Sequence, residues 1–152
     1  MSTSTRRYAQ FVNISSAPER AFSAFTDEDT ILRWYGVEAT VEPRRGGMFR
    51  VRLADGRVRD ATIDVWDPGR RLRLIYMPDT GAPVPLTLAS GPIVEDVLFD
   101  SKPGRTVIRV LGSGVPDSRE WDNYLKWLRT GWTYWLNQLK RLLEAEAPVA
   151  RQ

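Results

Sequence analysis

The feature that most limits what this chain can become is one long apolar stripe near its C-terminal end. Trp121, Leu125, Leu128, Trp132, Trp135 or Leu136, Leu139 and Leu142 recur at three- and four-residue spacing, the period of a single helix face. Asp117 or Ser118 stands where a cap belongs, with Glu120 in the first turn and Lys140 and Arg141 in the last, the signs that the helix dipole favours. The spacing predicts a helix to about Leu143, roughly 40 Å long at 1.5 Å per residue. Gly131 is out of place within it. Mid-helix glycine costs about 1 kcal/mol against alanine, so something is expected to pack closely against that backbone.

The rest of the chain reads mainly as strands. Tyr8–Ile14 alternates around Phe11 and predicts a first strand. Ser16 and Glu19 then have the spacing of a capping box, with Pro18 in the first turn and Ala21, Phe22, Ala24 and Phe25 on one face of the helix that follows. Thr26 is placed to cap a second short helix through Asp27–Arg33. From Trp34 to Leu111 the period switches to two. Val37–Val41, Gly47–Leu53, Arg57–Trp66, Arg71–Tyr76, Ile93–Phe99 and Thr106–Leu111 are the strands expected, and short turn sequences separate most of them. Such short connections make neighbours antiparallel. The Pro- and Gly-rich stretch Met77–Pro92 is longer than a hairpin needs and reads equally as a binding loop or as an edge segment on the sheet exterior.

These elements predict one α+β domain over residues 1–152 with its core at about 8–143: six or seven antiparallel strands curled around the long helix. The ends, Met1–Thr5 and Glu144–Gln152, are expected to fray. A curled sheet covered by one rod cannot be filled as two flat layers would be, so a hollow is expected between them. Six tryptophans suit the walls of such a hollow. The residues expected to line it are Trp34, Phe49, Trp66, Tyr76, Leu128 and Trp132.

Composition narrows the chemistry. The chain has no cysteine and no histidine, which removes thiolate catalysis, histidine triads and Cys/His metal sites. No metal and no cofactor is expected, and an enzyme is disfavoured. A catalytic reading would have to use Asp60, Asp64, Glu95, Asp96, Arg50 or Tyr124, whichever face inward. The net charge of +3 comes from arginines spread along the strands, including Arg44, Arg45, Arg50, Arg52, Arg57, Arg59, Arg70, Arg71 and Arg73. Their alternation with apolar residues reads as a solvated face, so no nucleic-acid partner is expected. Met1–Arg7 is polar, and nowhere do about 18 apolar residues run together. A cytoplasmic protein without membrane insertion is the expectation.

Several short motifs, in order, carry a resemblance. Ile14–Phe22, the Thr26-Asp27 to Leu32-Arg33-Trp34 segment, Gly46-Gly47-Met48-Phe49, Asp67-Pro68 to Arg71-Leu72, Thr106-Val107-Ile108 and Gly131-Trp132 with Leu136 and Leu139 resemble the family similar to the C-terminal domain of the activator of Hsp90 ATPase, within the START-like (SRPBCC) superfamily. Phe22 stands where the family usually has Trp, and Met77–Pro92 matches no motif. The resemblance implies a helix-grip fold with a pocket between sheet and long helix. It further implies a small hydrophobic or aromatic ligand, with a polyketide cyclase or dehydratase activity as the alternative. A protein-interaction role, such as an Hsp90-type chaperone partner or a stress-response accessory, is the third reading, and a homodimer through an open sheet edge is also expected.

Overall fold

In the computed structural model, which describes residues 4–76 and 91–146, the chain forms a seven-stranded sheet, two short helices and one long helix. Strand β1 (Thr5–Ile14) leads into α1 (Pro18–Thr26) and α2 (Glu28–Ile31), then β2 (Glu38–Val41), β3 (Met48–Arg52), β4 (Val58–Asp67) and β5 (Arg71–Tyr76). Strands β6 (Ile93–Lys102) and β7 (Arg105–Pro116) follow, then a 3-10 turn (Arg119–Trp121) and α3 (Asp122–Glu146). The spatial order is β1-β7-β6-β5-β4-β3-β2, and every neighbouring pair is antiparallel. This is the α+β helix-grip arrangement expected from the sequence. No helix among the described residues is long and apolar enough to cross a membrane.

Helix α3 lies along β1 and runs in the same direction. Near its start Arg6 donates to Asp122 at 2.7 Å; near its end Lys140 donates to the Asn13 carbonyl at 2.6 Å and Glu144 accepts the Ser15 N–H at 3.0 Å. Twenty-five helical residues at about 1.5 Å each and ten strand residues at about 3.3 Å each give similar lengths. The match lets the helix run along the full length of β1. Its buried face is Tyr124, Leu125, Leu128, Trp132, Trp135, Leu136, Leu139 and Leu143.

Local details depart from the sequence reading for identifiable reasons. The inward residues of β1 are Tyr8, Val12 and Ile14, while Phe11 faces outward, 66% exposed. Ala17, not Ser16, is the N-cap of α1 and makes no side-chain cap bond; the Ser16 carbonyl accepts the Thr106 hydroxyl instead. Asp27, not Thr26, caps α2 by accepting the Thr30 N–H at 2.9 Å, because the Thr26 hydroxyl is turned back to the Phe22 carbonyl. In the last turn Leu143, rather than Leu142, is fully covered. Of the ends expected to fray, residues 4–5 and 144–146 are described, and they are tied down. Ser4 accepts the Asp117 N–H, and Glu146 pairs with both Arg20 and Arg33. Residues 77–90 of the Met77–Pro92 stretch lie outside the described residues.

Strands β6 and β7 run past the predicted Phe99 and Leu111 to Lys102 and Pro116. The Gly112-Ser113-Gly114 run hid the end of β7, yet Gly112 is a working strand residue. It pairs with Tyr8 on one side and Glu95 on the other, and the Tyr8 ring fills the space where a Cβ would stand. Gly112→Ala is therefore expected to cost about 1–3 kcal/mol in urea unfolding, as overpacking does. The same change in a Tyr8→Leu background should cost measurably less, because the ring that the new methyl meets is gone.

Candidate functional site

Strand parity brings two charges into an otherwise apolar interior. On β4 the inward residues are Arg59, Ala61 and Ile63; on β6 they are Ile93, Glu95, Val97 and Phe99. Arg59 is 4% exposed and Glu95 fully buried. The inward position between them on β5 is Tyr76, which pairs with Ala61 and Ile93. Arg59 reaches across it, its guanidinium lying 4.2 Å from the centre of the Tyr76 ring.

The pair meets fork to fork. Arg59 donates from Nη1 to Glu95 Oε1 at 3.1 Å and from Nη2 to Oε2 at 2.9 Å. The Tyr8 hydroxyl donates to Oε2 at 2.5 Å and the Trp132 indole N–H to the same oxygen at 2.7 Å. Four donors thus meet a carboxylate with about four acceptor sites. Arg59 Nη1 also donates to the Tyr35 hydroxyl at 2.8 Å. Around the guanidinium stand the rings of Trp132 and Trp135, at 5.8 and 5.9 Å.

Four of the five tyrosines belong to this cluster. Burial is the main cause that raises the pKa of each. Tyr35 is pushed up to about 12, Tyr8 and Tyr76 are held well above the usual tyrosine value, and Tyr124 is also raised. For Arg59 burial acts the other way, but the negative charge of Glu95 and the neighbouring tyrosines outweigh it and hold the guanidinium protonated. Among the described residues the buried Tyr76 hydroxyl makes no hydrogen bond of ordinary geometry, although the Tyr35 hydroxyl stands close enough to act on it; the indole N–H of Trp121, at the start of α3, has none either.

Of the six residues expected to line a hollow, Tyr76 and Trp132 meet at Arg59. Trp34 is one ring further out, stacked on Tyr35 at 5.0 Å and donating to the Ala24 carbonyl at 3.0 Å. Leu128 and Phe49 are buried on α3 and β3. Trp66 lies instead against Phe22 of α1, centroids 5.1 Å apart. At the level of Arg59 the space between helix and sheet is taken by the chain's own guanidinium and rings.

Among the six polar candidates, Glu95 and Tyr124 point inward, whereas Arg50 is exposed and Asp60 half-buried. Asp64 and Asp96 pair with Arg73 and Arg71 and are part-exposed. Arg59 was read with the solvated arginines, and the structure corrects this. The signal was the parity of Arg59-x-Ala61-x-Ile63, which puts a cation on the face that Ile63 buries. Glu95 accepts four hydrogen bonds, three of them on Oε2, and so holds Tyr8, Arg59 and Trp132 together. Among the described residues no group of three or more acidic side chains could hold a metal ion.

A groove of about 390 Å³ opens beside the cluster, between α3 and the turn joining β3 to β4. Leu53, Ala54, Trp127, Gly131, Tyr134 and Trp135 line it. Gly131 is accounted for here: the Trp135 indole folds back over its Cα, where a Cβ would collide with the ring.

The family model described as "Activator of Hsp90 ATPase homolog 1-like protein" matches residues 15–144. The chain belongs to this family. No curated protein matches the sequence of this family member. Among solved structures, protein MLL2253 from Mesorhizobium loti is similar with a TM-score of 0.78 at 20% identity, over 92% of this chain and 98% of that one. The Aha1 dimer from Colwellia psychrerythraea is similar with a TM-score of 0.75 at 17% identity, over 91% and 96%. DynU16, from the dynemicin biosynthetic locus, is similar with a TM-score of 0.72 at 20% identity, over 91% of this chain but 47% of its own. At these identities the likeness is one of fold, and the AHSA1-like domain keeps that fold around its Arg59–Glu95 pair.

Two outcomes follow from the buried pair. Glu95→Gln leaves a buried cation uncompensated and should cost roughly 3–5 kcal/mol by urea unfolding, while replacing both partners by apolar residues of similar volume (Arg59→Met with Glu95→Leu) should recover only part of that loss, because the Tyr8 hydroxyl and the Trp132 N–H lose their acceptor. The tyrosines set an alkaline limit. Their folded pKa values lie above the ordinary 10.0, so their contribution is complete below that pH and falls as pH rises through the folded values. Stability should decline between about pH 10 and 12, with phenolate absorbance from Tyr8, Tyr35, Tyr76 and Tyr124 appearing only together with unfolding.

Proposed function

We propose that this AHSA1-like domain binds a small, mainly apolar or aromatic molecule between the sheet and α3, with the Arg59–Glu95 cluster at the inner end of the site. The observation that carries this reading is the Tyr76 hydroxyl, buried beside Arg59 without a hydrogen bond of ordinary geometry among the described residues. A buried polar group left unpaired costs about 1–3 kcal/mol, and a ligand oxygen placed there would remove that cost. Tyr76, Leu128 and Trp132 are the lining residues nearest the cluster. Trp34 and Phe49 would flank them, and Trp66 would mark the far end under α1. The neighbour encoded in the dynemicin biosynthetic locus supports a small-molecule partner over a macromolecular one.

The test begins with a native mass spectrum of the protein purified from its own host. The expected result is a second species, heavier by one small molecule. Adding that molecule back to stripped protein at a hundredfold excess over Kd should stabilise the fold by about 2.7 kcal/mol and quench tryptophan emission. A spectrum of bare chain, together with an unchanged Tm across a panel of aromatic and aliphatic small molecules, would overturn the proposal.

A further inference from the structure

The groove under Trp127 and the buried cluster are separated by one side chain. Trp135 borders the groove on its outer side, and on its inner side its ring centre lies 5.9 Å from the Arg59 guanidinium. The ring meets Trp132 edge-on at 5.2 Å and Tyr35 at 4.9 Å. Behind Arg59 stands Tyr76, whose hydroxyl makes no hydrogen bond of ordinary geometry among the described residues. The path from solvent therefore runs groove, Trp135, Arg59, Tyr76.

Charge along this path is already matched. At the mouth Arg57 stacks on Trp127 at 5.5 Å and pairs with Asp55 at 3.2 Å. Inside, Arg59 is neutralised by Glu95, which could be displaced only by abandoning four hydrogen bonds. Among the described residues an anionic head group would meet only paired cations on the way and would be repelled by a buried carboxylate at the end. A neutral oxygen has a waiting donor in Tyr76.

Building on the binding role proposed above, we infer that the groove and the Arg59–Tyr76 end form one continuous site, with Trp135 and then the Arg59 guanidinium as the groups that must shift aside. The site takes an uncharged, largely apolar molecule carrying a hydrogen-bond acceptor such as a ketone, ester or ether oxygen. Its outer volume of about 390 Å³ falls within the range of small-molecule sites.

Three probes with the same ring system test this by titration calorimetry on the full chain: naphthyl methyl ketone, naphthoate and methylnaphthalene. The ketone is expected to bind about tenfold more tightly than either of the others, the worth of one well-placed buried hydrogen bond. Tyr76→Phe should bring the ketone down to the level of methylnaphthalene without lowering Tm, because the deleted hydroxyl makes no hydrogen bond of ordinary geometry in the free protein. Trp135→Ala should speed association of all three in stopped-flow fluorescence; Tyr76→Phe decides the question if that variant folds poorly. Naphthoate binding as tightly as the ketone, or a ketone preference that survives Tyr76→Phe, overturns the inference and leaves the binding role standing. If none of the three binds, the inference falls, and the binding role falls with it only when nothing co-purifies with the protein either.

Discussion

The ion pair between Arg59 and Glu95 is the interaction around which the interior is arranged. Neither charge could be taken out of water alone; the desolvation penalty is several kcal/mol for each ion. The chain meets it by giving the carboxylate four donors from three other residues, contributed by β1, β4 and α3. The guanidinium in turn lies over the Tyr76 ring and against two tryptophans. Sheet and helix are thereby tied through polar contacts in the interior.

The same pair explains choices along the chain that propensity alone does not. Tyr8, Gly112 and Glu95 form a row across β1, β7 and β6. A side chain at the middle position would block the tyrosine from the carboxylate, so the row works only with glycine at its centre. Gly131 plays a parallel part on α3, letting Trp135 lie back along the helix and close the outer side of the cluster. In both places a residue unfavourable to its own secondary structure is explained by an aromatic ring packed on top of it.

Much of the architecture was legible in the sequence because it rests on period. The Trp121-to-Leu139 stripe could only be a helix face, and the short turns among the strands could only give antiparallel neighbours. The caps were less legible. Ser16 against Ala17, and Thr26 against Asp27, are choices among adjacent residues; the second depends on the Thr26 hydroxyl finding its acceptor in the Phe22 carbonyl. The alternation around Phe11 predicted a strand without saying which face is inward; Tyr8, Val12 and Ile14 are buried and Phe11 is outside. The polar cluster was half legible. Glu95 shares a face with Ile93, Val97 and Phe99, and Arg59 shares one with Ala61 and Ile63, so each was readable as an inward charge. That the two meet depends on register across β5, which no local pattern encodes.

A buried ion pair is weak evidence for stability, because apolar residues of the same volume often serve as well or better. Stability alone therefore gives little reason for this chain to hold Arg59 and Glu95 where isoleucine and leucine would pack. What an apolar core could not provide is an interior polar point of fixed geometry, with its charge cancelled and its donors aimed. Glu95 already accepts four hydrogen bonds, and its charge cancels that of Arg59. The Tyr76 hydroxyl, on a ring covered by the guanidinium and without a hydrogen bond of ordinary geometry among the described residues, is then a polar group at this point able to give a hydrogen bond. Discrimination in such a site comes from whether an incoming molecule brings an oxygen to that hydroxyl, since aromatic walls accept nearly any ring but an unmet buried donor penalises the wrong one.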